Sequence, residues 1–419
     1  MNQKMDPLKT IVSLLFVVVS VCNAAGIVSI DEGDLVESLQ NSTRKFDSVF
    51  AKLINQNLKP EENALFSPLN IHVALSLLQL GTAGETRDEL SSILEIPNNE
   101  TESSKQHSFL GKVLNGLQNT DAAEVKIANS VFVQKGKKLK ENYLKATQNY
   151  YKNEAQQVDF AKGGSEATDT INNWVSSNTK KRIPKLFKEN ISSDTRLLLA
   201  SALLFNATWD EPFEKSLTKD QNFNTGLKQV AVKMMNQIDY VRYLKNENLQ
   251  YEAISIPYKN NEFSMDIVLP FTSKTLGALI NESTPEHQWQ MLVDFHKANR
   301  TYVDYKLPRF KFDWTKNINE HVKKSGIQTI FTNSELSNLV EDSADLVVSN
   351  IDHATEIQVD EVGTVATAVT TVQVGYAVSI QPPKPKPIKF YVDRPFLFRI
   401  VSQKTAVTLF TGIVQNPAK

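Results

Sequence analysis

An α+β domain with largely antiparallel sheets is the fold class this sequence predicts, on three observations. Apolar residues recur at helical spacing through most of the first 180 positions. Runs rich in β-branched and aromatic residues dominate afterwards. No internal repeat or low-complexity linker divides the chain. Length alone, 419 residues, suggests two or three domains. The one Pro-rich tract, Gln381 to Pro387, lies only about thirty residues from the C-terminus, too late to separate two units. With 41% hydrophobic residues the chain can bury a large core. One domain is expected.

The elements follow in order. Apolar spacing predicts helices near 35–58, 69–80, 87–94, 105–118, 140–150 and 166–180, then near 286–298 and 316–325. For the second helix Ser67 suits the N-cap, Pro68 the first turn and Gly81 the C-terminal stop. Thr86 with Glu89 reads as a capping box for the third. Strand-like runs lie near 125–133, 196–209, 229–243, 250–258, 262–269, 302–312 and 346–361, then within 388–415. Leu197 to Trp209 is nearly all apolar, as a strand buried on both faces must be.

Residues 1–24 read as a secretory signal. Lys4 and Lys9 precede the apolar run Ile11 to Val21, and Cys22-Asn-Ala24 supplies small residues before Ala25 and Gly26. The run is too short to span a bilayer. Cleavage after Ala24 removes the chain's one cysteine, so the expected mature protein, residues 25–419, has neither thiol nor disulfide. Asn-x-Ser/Thr sequons at Asn41, Asn99, Asn190, Asn206, Asn281 and Asn299 fit a secreted, extracellular glycoprotein. Asn99, in a polar turn, is the best candidate for modification, and Asn206, ending the apolar strand, the weakest.

Composition and motifs exclude several function classes. Net charge is −1, which gives no steering toward nucleic acid or an anionic membrane. Nucleophile elbow, zinc-protease helix, phosphate-binding glycine loop and Cys/His metal spacing are all missing, so neither an enzyme nor a metal or other cofactor is expected. The basic runs Lys135 to Lys140 and Lys180 to Lys188 read as solvated charged faces, and glycosaminoglycan binding is not expected. A lone histidine in an apolar strand, such as His353, reads first as a satisfied structural residue.

One segment stands apart. Residues 362 to 383 carry no charge in a chain that is 22% charged, and Thr364 to Val374 (TVATAVTTVQV) has eight β-branched residues in eleven. An uncharged β-former beside a stiff Pro-rich tract is an aggregation hazard unless the fold has a place for it. Composition alone suggests a hairpin strand beside a long turn.

The flanks point elsewhere. Ile357-Gln-Val-Asp-Glu-Val-Gly-Thr364 resembles the hinge of the serpin reactive-centre loop. Phe390-Tyr-Val-Asp-Arg-Pro-Phe-Leu-Phe-Arg-Ile400 resembles the C-terminal signature of the same family. Asn63-Ala-Leu-Phe-Ser-Pro-Leu-Asn70, Asn129-Ser-Val-Phe132, Leu307-Pro-Arg-Phe-Lys-Phe312, Gly326-Ile327 and Ser349-Asn-Ile-Asp-His353 are similar to further serpin landmarks in the same order. The resemblance covers nearly the whole chain.

That resemblance implies a single-domain serpin fold: helices on three mostly antiparallel β-sheets, with an exposed reactive-centre loop at about 361–388. It implies a monomeric, suicide-substrate inhibitor that forms a covalent acyl complex with an extracellular serine protease. Family spacing from Gly363 puts the scissile bond at Ala377–Val378, with Tyr376 the alternative. These residues suit elastase-like or chymotrypsin-like pockets, and the stretch from Gly363 to Phe396 exceeds the usual family length. Hinge roles fall to Glu361, Gly363, Thr364, Ala366 and Ala368. Alternation sends Thr364, Ala366, Ala368, Thr370 and Val372 to one face, all small enough to enter a sheet interior, and Thr364 is expected to lead the insertion. Roughly fourteen residues at about 3.3 Å each span on the order of 45 Å. Val362 and Val365 stand where the family often carries charge. The sheet-opening region maps to Ser67, Ser201, Trp209 and His353. Ser201 replaces the asparagine usually opposite His353, and its shorter arm is expected to need a bridging water. The rival reading is a non-inhibitory serpin serving as carrier, storage protein or chaperone. Such members tend to place charge, proline or bulk at inward hinge positions, and none is present here.

Overall fold

The computed structural model describes residues 33–364 and 385–419, apart from 154, 163 and 345. Helices α1 (Gly33–Asn57), α2 (Pro68–Gln79), α3 (Gly84–Leu94) and α4 (Glu100–Gln118) open the chain, with the short strand β1 (Ala64–Phe66) after α1. Next come β2 (Glu124–Gln134), α5 (Glu141–Tyr151), β3 (Gln156–Val158), α6 (Ser165–Asn178) and β4 (Leu197–Thr208). Strands β5 (Lys219–Asn224), β6 (Gln229–Asn246), β7 (Tyr251–Pro257) and β8 (Phe263–Pro270) precede helices α7 (Leu276–Glu282) and α8 (Pro285–Lys297). Strands β9 (Arg300–Pro308) and β10 (Phe310–Asn317) lead to the short helices α9 (Asn319–Lys324) and α10 (Thr329–Thr332). Strands β11 (Asn350–Val359), β12 (Gly363–Thr364), β13 (Ile388–Tyr391), β14 (Phe396–Ser402) and β15 (Thr408–Val414) complete the chain.

Where three sheets were expected, the described strands hydrogen-bond as two. The cause is the length of β6. Its first residues pair with β5, Met234 to Arg242 with β9, and Arg242 to Asn246 with β7, which fuses two sheets along one strand. The nine-stranded sheet runs β1-β15-β14-β8-β7-β6-β9-β13, with β5 attached to β6. The six-stranded main sheet runs β10-β11-β12-β4-β2-β3. Pairing is mostly antiparallel; β4–β11, β2–β3 and β9–β13 are parallel.

Two apolar cores sandwich the main sheet. The larger lies between its inner face, the nine-stranded sheet and helices α1 and α2. The smaller lies on the outer face, where α6 and the segment around Ile183 to Ile191 cover Ala200, Ala202 and Ala354. All twelve residues of α2 are buried. That helix is a strut beneath the sheet, held at its start by Ser67, whose Oγ accepts from the Asn70 N–H at 3.0 Å.

Several local expectations are corrected. Thr86 and Glu89 form no capping box: α3 starts earlier, at Gly84, and Thr86 Oγ1 accepts from the Glu335 N–H at 3.0 Å. The Glu89 carboxylate instead accepts from the Gln328 and Thr329 N–H groups at 2.9 and 2.8 Å. Gly81 is no left-handed stop, since close packing explains it: a Cβ there would lie 2.8 Å from Leu339 Cβ. The run at 302–312 splits at Arg309, whose N–H turns to the Lys233 carbonyl as the chain passes between sheets. The helix expected from 316 starts at Asn319, because β10 continues to Asn317 opposite Asp352. Among the described residues no helix is long and apolar enough to cross a membrane. Residues 1–32, which carry the expected signal, lie outside the described residues.

Candidate functional site

Two neighbouring features of the main sheet form the site: a hinge at its upper end and a seam between β4 and β11. At the hinge, Asp360 to Gly363 make a tight turn from β11 into β12, with the Asp360 N–H on the Gly363 carbonyl at 3.0 Å. Asp360 Oδ1 accepts from the Val362 N–H at 2.9 Å. The end of β4 holds this turn. The Trp209 backbone N–H donates to Val362 O, its indole N–H to Asp360 O, and the Phe213 N–H to Glu361 O, each at 2.9 Å.

Glu361 is buried and accepts from Arg309 Nε at 2.7 Å, from a second Arg309 nitrogen, and from the Thr218 hydroxyl at 2.5 Å. Burial by itself would raise its pKa. The hydrogen bonds from Arg309 and Thr218 outweigh burial and hold the carboxyl below its ordinary range. Arg309 sits where the chain passes from β9 to β10, a place the quoted Leu-Pro-Arg-Phe landmark marked without revealing its partner.

Gly363 has no room for a side chain: a Cβ would meet the Ala207 carbonyl oxygen at 2.0 Å. Thr364 is paired on both sides, with Val359 of β11 and Ala207 of β4, both antiparallel. It is buried, and its hydroxyl shares a hydrogen bond of 2.6 Å with the Tyr258 phenol. Trp209 stacks on that phenol ring at 4.5 Å, and burial pushes the phenol's pKa up. The residue expected to lead the insertion is thus already inside the sheet.

Below this wedge the sheet is closed. Residues Asn350 to Thr355 of β11 pair in parallel with Leu198 to Leu203 of β4. A strand continuing β12 downward would run antiparallel to both neighbours and replace one parallel interface with two antiparallel ones, the slightly more stable pairing.

Behind the seam, His353, Ser201 and Asn129 stand in register on adjacent strands. His353 Nε2 accepts from the Ser67 N–H at 3.0 Å, so its Nδ1 carries the proton and donates to Ser201 Oγ at 3.0 Å. Ser201 Oγ also accepts from Asn70 Nδ2 at 2.8 Å, and Asn70 Oδ1 accepts from Asn129 Nδ2 at 2.6 Å. Burial pushes the His353 pKa down to about 3, so the ring is neutral. No water is needed between Ser201 and His353, contrary to expectation. The serine reaches the ring directly, and Asn70 from α2 fills the space a longer side chain would take. Asn70 and Asn129 were not singled out as site residues. Both lay in quoted landmarks, and only the packing of α2 under the sheet brings them together.

The serpin family model, described as serine protease inhibitor, matches residues 42–417. The chain belongs to the serpin family. It is 32% identical to human Serpin B3 over 91% of this chain and 100% of that protein. It is 32% identical to a serine protease inhibitor of Cyanea capillata, over 85% of this chain and 93% of the relative. Among solved structures it is similar to human thyroxine-binding globulin, with TM-score 0.80 and 24% identity over 92% of this chain and 100% of the other. Likeness at that identity speaks for the fold alone.

In this serpin Tyr376, Ala377, Val378, Ala366 and Ala368 lie outside the described residues. The sequons fall in different settings. Asn99 is exposed and caps α4, its Oδ1 accepting from the Thr101 and Glu102 N–H groups while Nδ2 stays outside that cap. Asn190, Asn281 and Asn299 are exposed. Asn41 is half-buried beside Arg44, and Asn206, also half-buried, reaches the Glu124 carboxylate. Lysines of both basic runs meet acidic partners: Lys137 with Asp342, Lys138 with Glu341 and Lys180 with Glu124.

Proposed function

We propose that this serpin is a secreted suicide-substrate inhibitor of an elastase-like or chymotrypsin-like serine protease. The protease serine Oγ attacks the Ala377 carbonyl carbon; the Ala377–Val378 peptide bond breaks, the Val378 nitrogen leaves with a proton, and an ester joins the two proteins. The segment after Gly363 then enters the seam as a strand and carries the ester, with its protease, along the sheet. Strand insertion by a cleaved loop is a property of the serpin family and is carried over from it.

One observation carries the reading for this chain. Thr364 sits between β4 and β11, and the residues of the same parity that follow it in sequence, Ala366, Ala368 and Thr370, are small and uncharged. A bulky, charged or proline residue at any of these places would oppose insertion.

The test is incubation with pancreatic elastase, chymotrypsin and trypsin, followed by denaturing electrophoresis and mass spectrometry of the released C-terminal peptide. An SDS-stable complex with elastase or chymotrypsin and a peptide beginning at Val378 are expected. Rapid, stable trapping of trypsin through a lysine bond would overturn the target class. Cleavage by all three without a complex would mark a carrier-type serpin.

A further inference from the structure

Asp352 precedes His353 on β11, and strand alternation sends its side chain to the opposite, outer face of the main sheet. It sits on the seam itself, opposite Ala200 of β4 and Asn317 of β10. The carboxyl is 6% exposed. One oxygen has a long 3.4 Å contact from Asn317 Nδ2, and the other, Oδ2, is buried with no hydrogen-bond partner. Its neighbours on this face, Ala200, Ala202 and Ala354, are apolar and covered by α6 and the segment around Ile183 to Ile191.

That cover is strapped down. Asn172 of α6 accepts from the Leu186 and Phe187 N–H groups at 2.8 and 2.9 Å and donates to the Phe187 carbonyl at 2.9 Å. Thr168 accepts from the Ile191 N–H at 2.9 Å. A strand entering between β4 and β11 would pass beneath this segment and part Asp352 from Ala200, its neighbour across the seam. Asp352 itself lines one edge of a cleft of about 970 Å³ that borders the cover, β10 and the C-terminus.

We propose that Asp352 is a protonation-controlled gate on the seam: the neutral acid favours the closed sheet, and the carboxylate loosens it for an entering strand. This rests on the insertion reading above. An ionised, half-partnered carboxylate is costly under the cover and hydrated once the cover lifts, so ionisation favours opening. Among the described residues no cation pairs with Asp352. Lys316 and Asp313 of β10 line the same cleft, with Lys316 paired to Glu62. Lys188 and Glu189 lie on the cover, Lys59 and Glu61 on the segment after α1, and Lys419 at the C-terminus pairs with Glu61. The β4 neighbours carry no charge, and Glu166 and Asp169 of α6 are exposed. None of these forms an ion pair with Asp352. Burial accordingly raises its pKa to about 7. Because the folded value lies above the unfolded one, the stability Asp352 contributes is present below about pH 4 and is lost as pH rises toward 7.

The experiment compares the intact protein with Asp352→Asn and, as a second replacement without charge, Asp352→Val. Thermal midpoints are measured from pH 5 to pH 8.5 at constant ionic strength. The variants are expected to gain on the wild type as pH rises, by several degrees between pH 5 and pH 8; a difference that does not change with pH in either variant would overturn the gate. The second arm measures uptake into the sheet of a synthetic peptide with the sequence of residues 364–376. The wild-type rate is expected to rise at least threefold from pH 6 to pH 8, with the Asp352→Asn rate level. An equal rise in both also overturns the gate. Failure of either protein to take up peptide at any pH overturns the insertion reading instead, and the melting comparison still judges the titration of Asp352.

Discussion

The hydroxyl of Thr364 and the phenol of Tyr258 lie 2.6 Å apart, each buried, at the point where β11 and β4 separate. This contact seats Thr364, the residue expected to lead the insertion, inside the main sheet. Under the proposed mechanism a hinge already docked would need no further nucleation at its leading residue, and insertion would proceed from Thr364 downward.

Thr364→Arg replaces that contact with a long charged group in an apolar space, a penalty of roughly several kcal/mol. The hinge should be expelled and insertion slowed, while the bond near Ala377 remains cleavable. The variant is expected to behave as a substrate, with surviving protease and consumed serpin in a stoichiometry titration. Val365→Arg, of opposite parity, should leave inhibition nearly intact. Equal trapping by both variants would show that the face assignment from Thr364 onward is wrong.

Gly363→Ala probes the same wedge through the backbone. Its Cβ would sit 2.0 Å from the Ala207 carbonyl oxygen, so β12 or β4 must shift. A loss of about 1–3 kcal/mol is expected, the range for an overpacked interior. Urea unfolding checks the size, and limited proteolysis near Val362 checks whether the turn has come away from Trp209.

Arg309→Met leaves the buried Glu361 carboxylate without its cation; because the Arg309 side chain is itself partly exposed, the cost is about 1–3 kcal/mol. The wild-type pair also sets a pH limit. The folded pKa of Glu361 lies below its ordinary value, so its stabilising contribution is present above about pH 4.5 and lost as pH falls through the folded value. Thermal midpoints below pH 5 should therefore fall in the wild type, with a smaller dependence in Glu361→Gln.

Buried histidines add a second acid sensitivity. His353 and His107 are pushed down to about 3 and His72 to about 4, chiefly by burial. Each folded pKa lies below the unfolded one, so the stability these rings contribute is present above about pH 6.5 and lost on acidification toward pH 3–4. His353→Gln should flatten part of that fall in a melting series from pH 7 to pH 4. Ser201→Ala removes the partner shared by His353 Nδ1–H and Asn70 Nδ2, and should cost about 1–3 kcal/mol at neutral pH.

Cleavage between residues 372 and 380 tests metastability. The parallel β4–β11 interface should give way to two antiparallel ladders, and the thermal midpoint should rise substantially. A cleaved protein that melts no later than the intact one would argue for a carrier-type serpin.

Local sequence determined the elements whose period and caps are self-contained. Residues 197–208 could only be a strand buried on both faces, Ser67 and Pro68 fixed the start of α2, and the uncharged run after Gly363 marked the segment that needed explaining. The family resemblance supplied the topology that periodicity could not. Tertiary structure decided what local pattern cannot encode, namely which distant groups meet. Thr86 and Glu89 have capping-box spacing, yet their oxygens serve backbone groups at Glu335, Gln328 and Thr329. Arg309 meets Glu361 only because the chain crosses between sheets there. Asn70 completes the Ser201–His353 contact only because α2 packs beneath the seam. Asp352 and His353 are adjacent in sequence, but the pleat sends one to a satisfied hydrogen-bond network and the other to an apolar cover without a partner for Oδ2. Side-chain period is a local property; partnership is set by how sheets and helices close over one another.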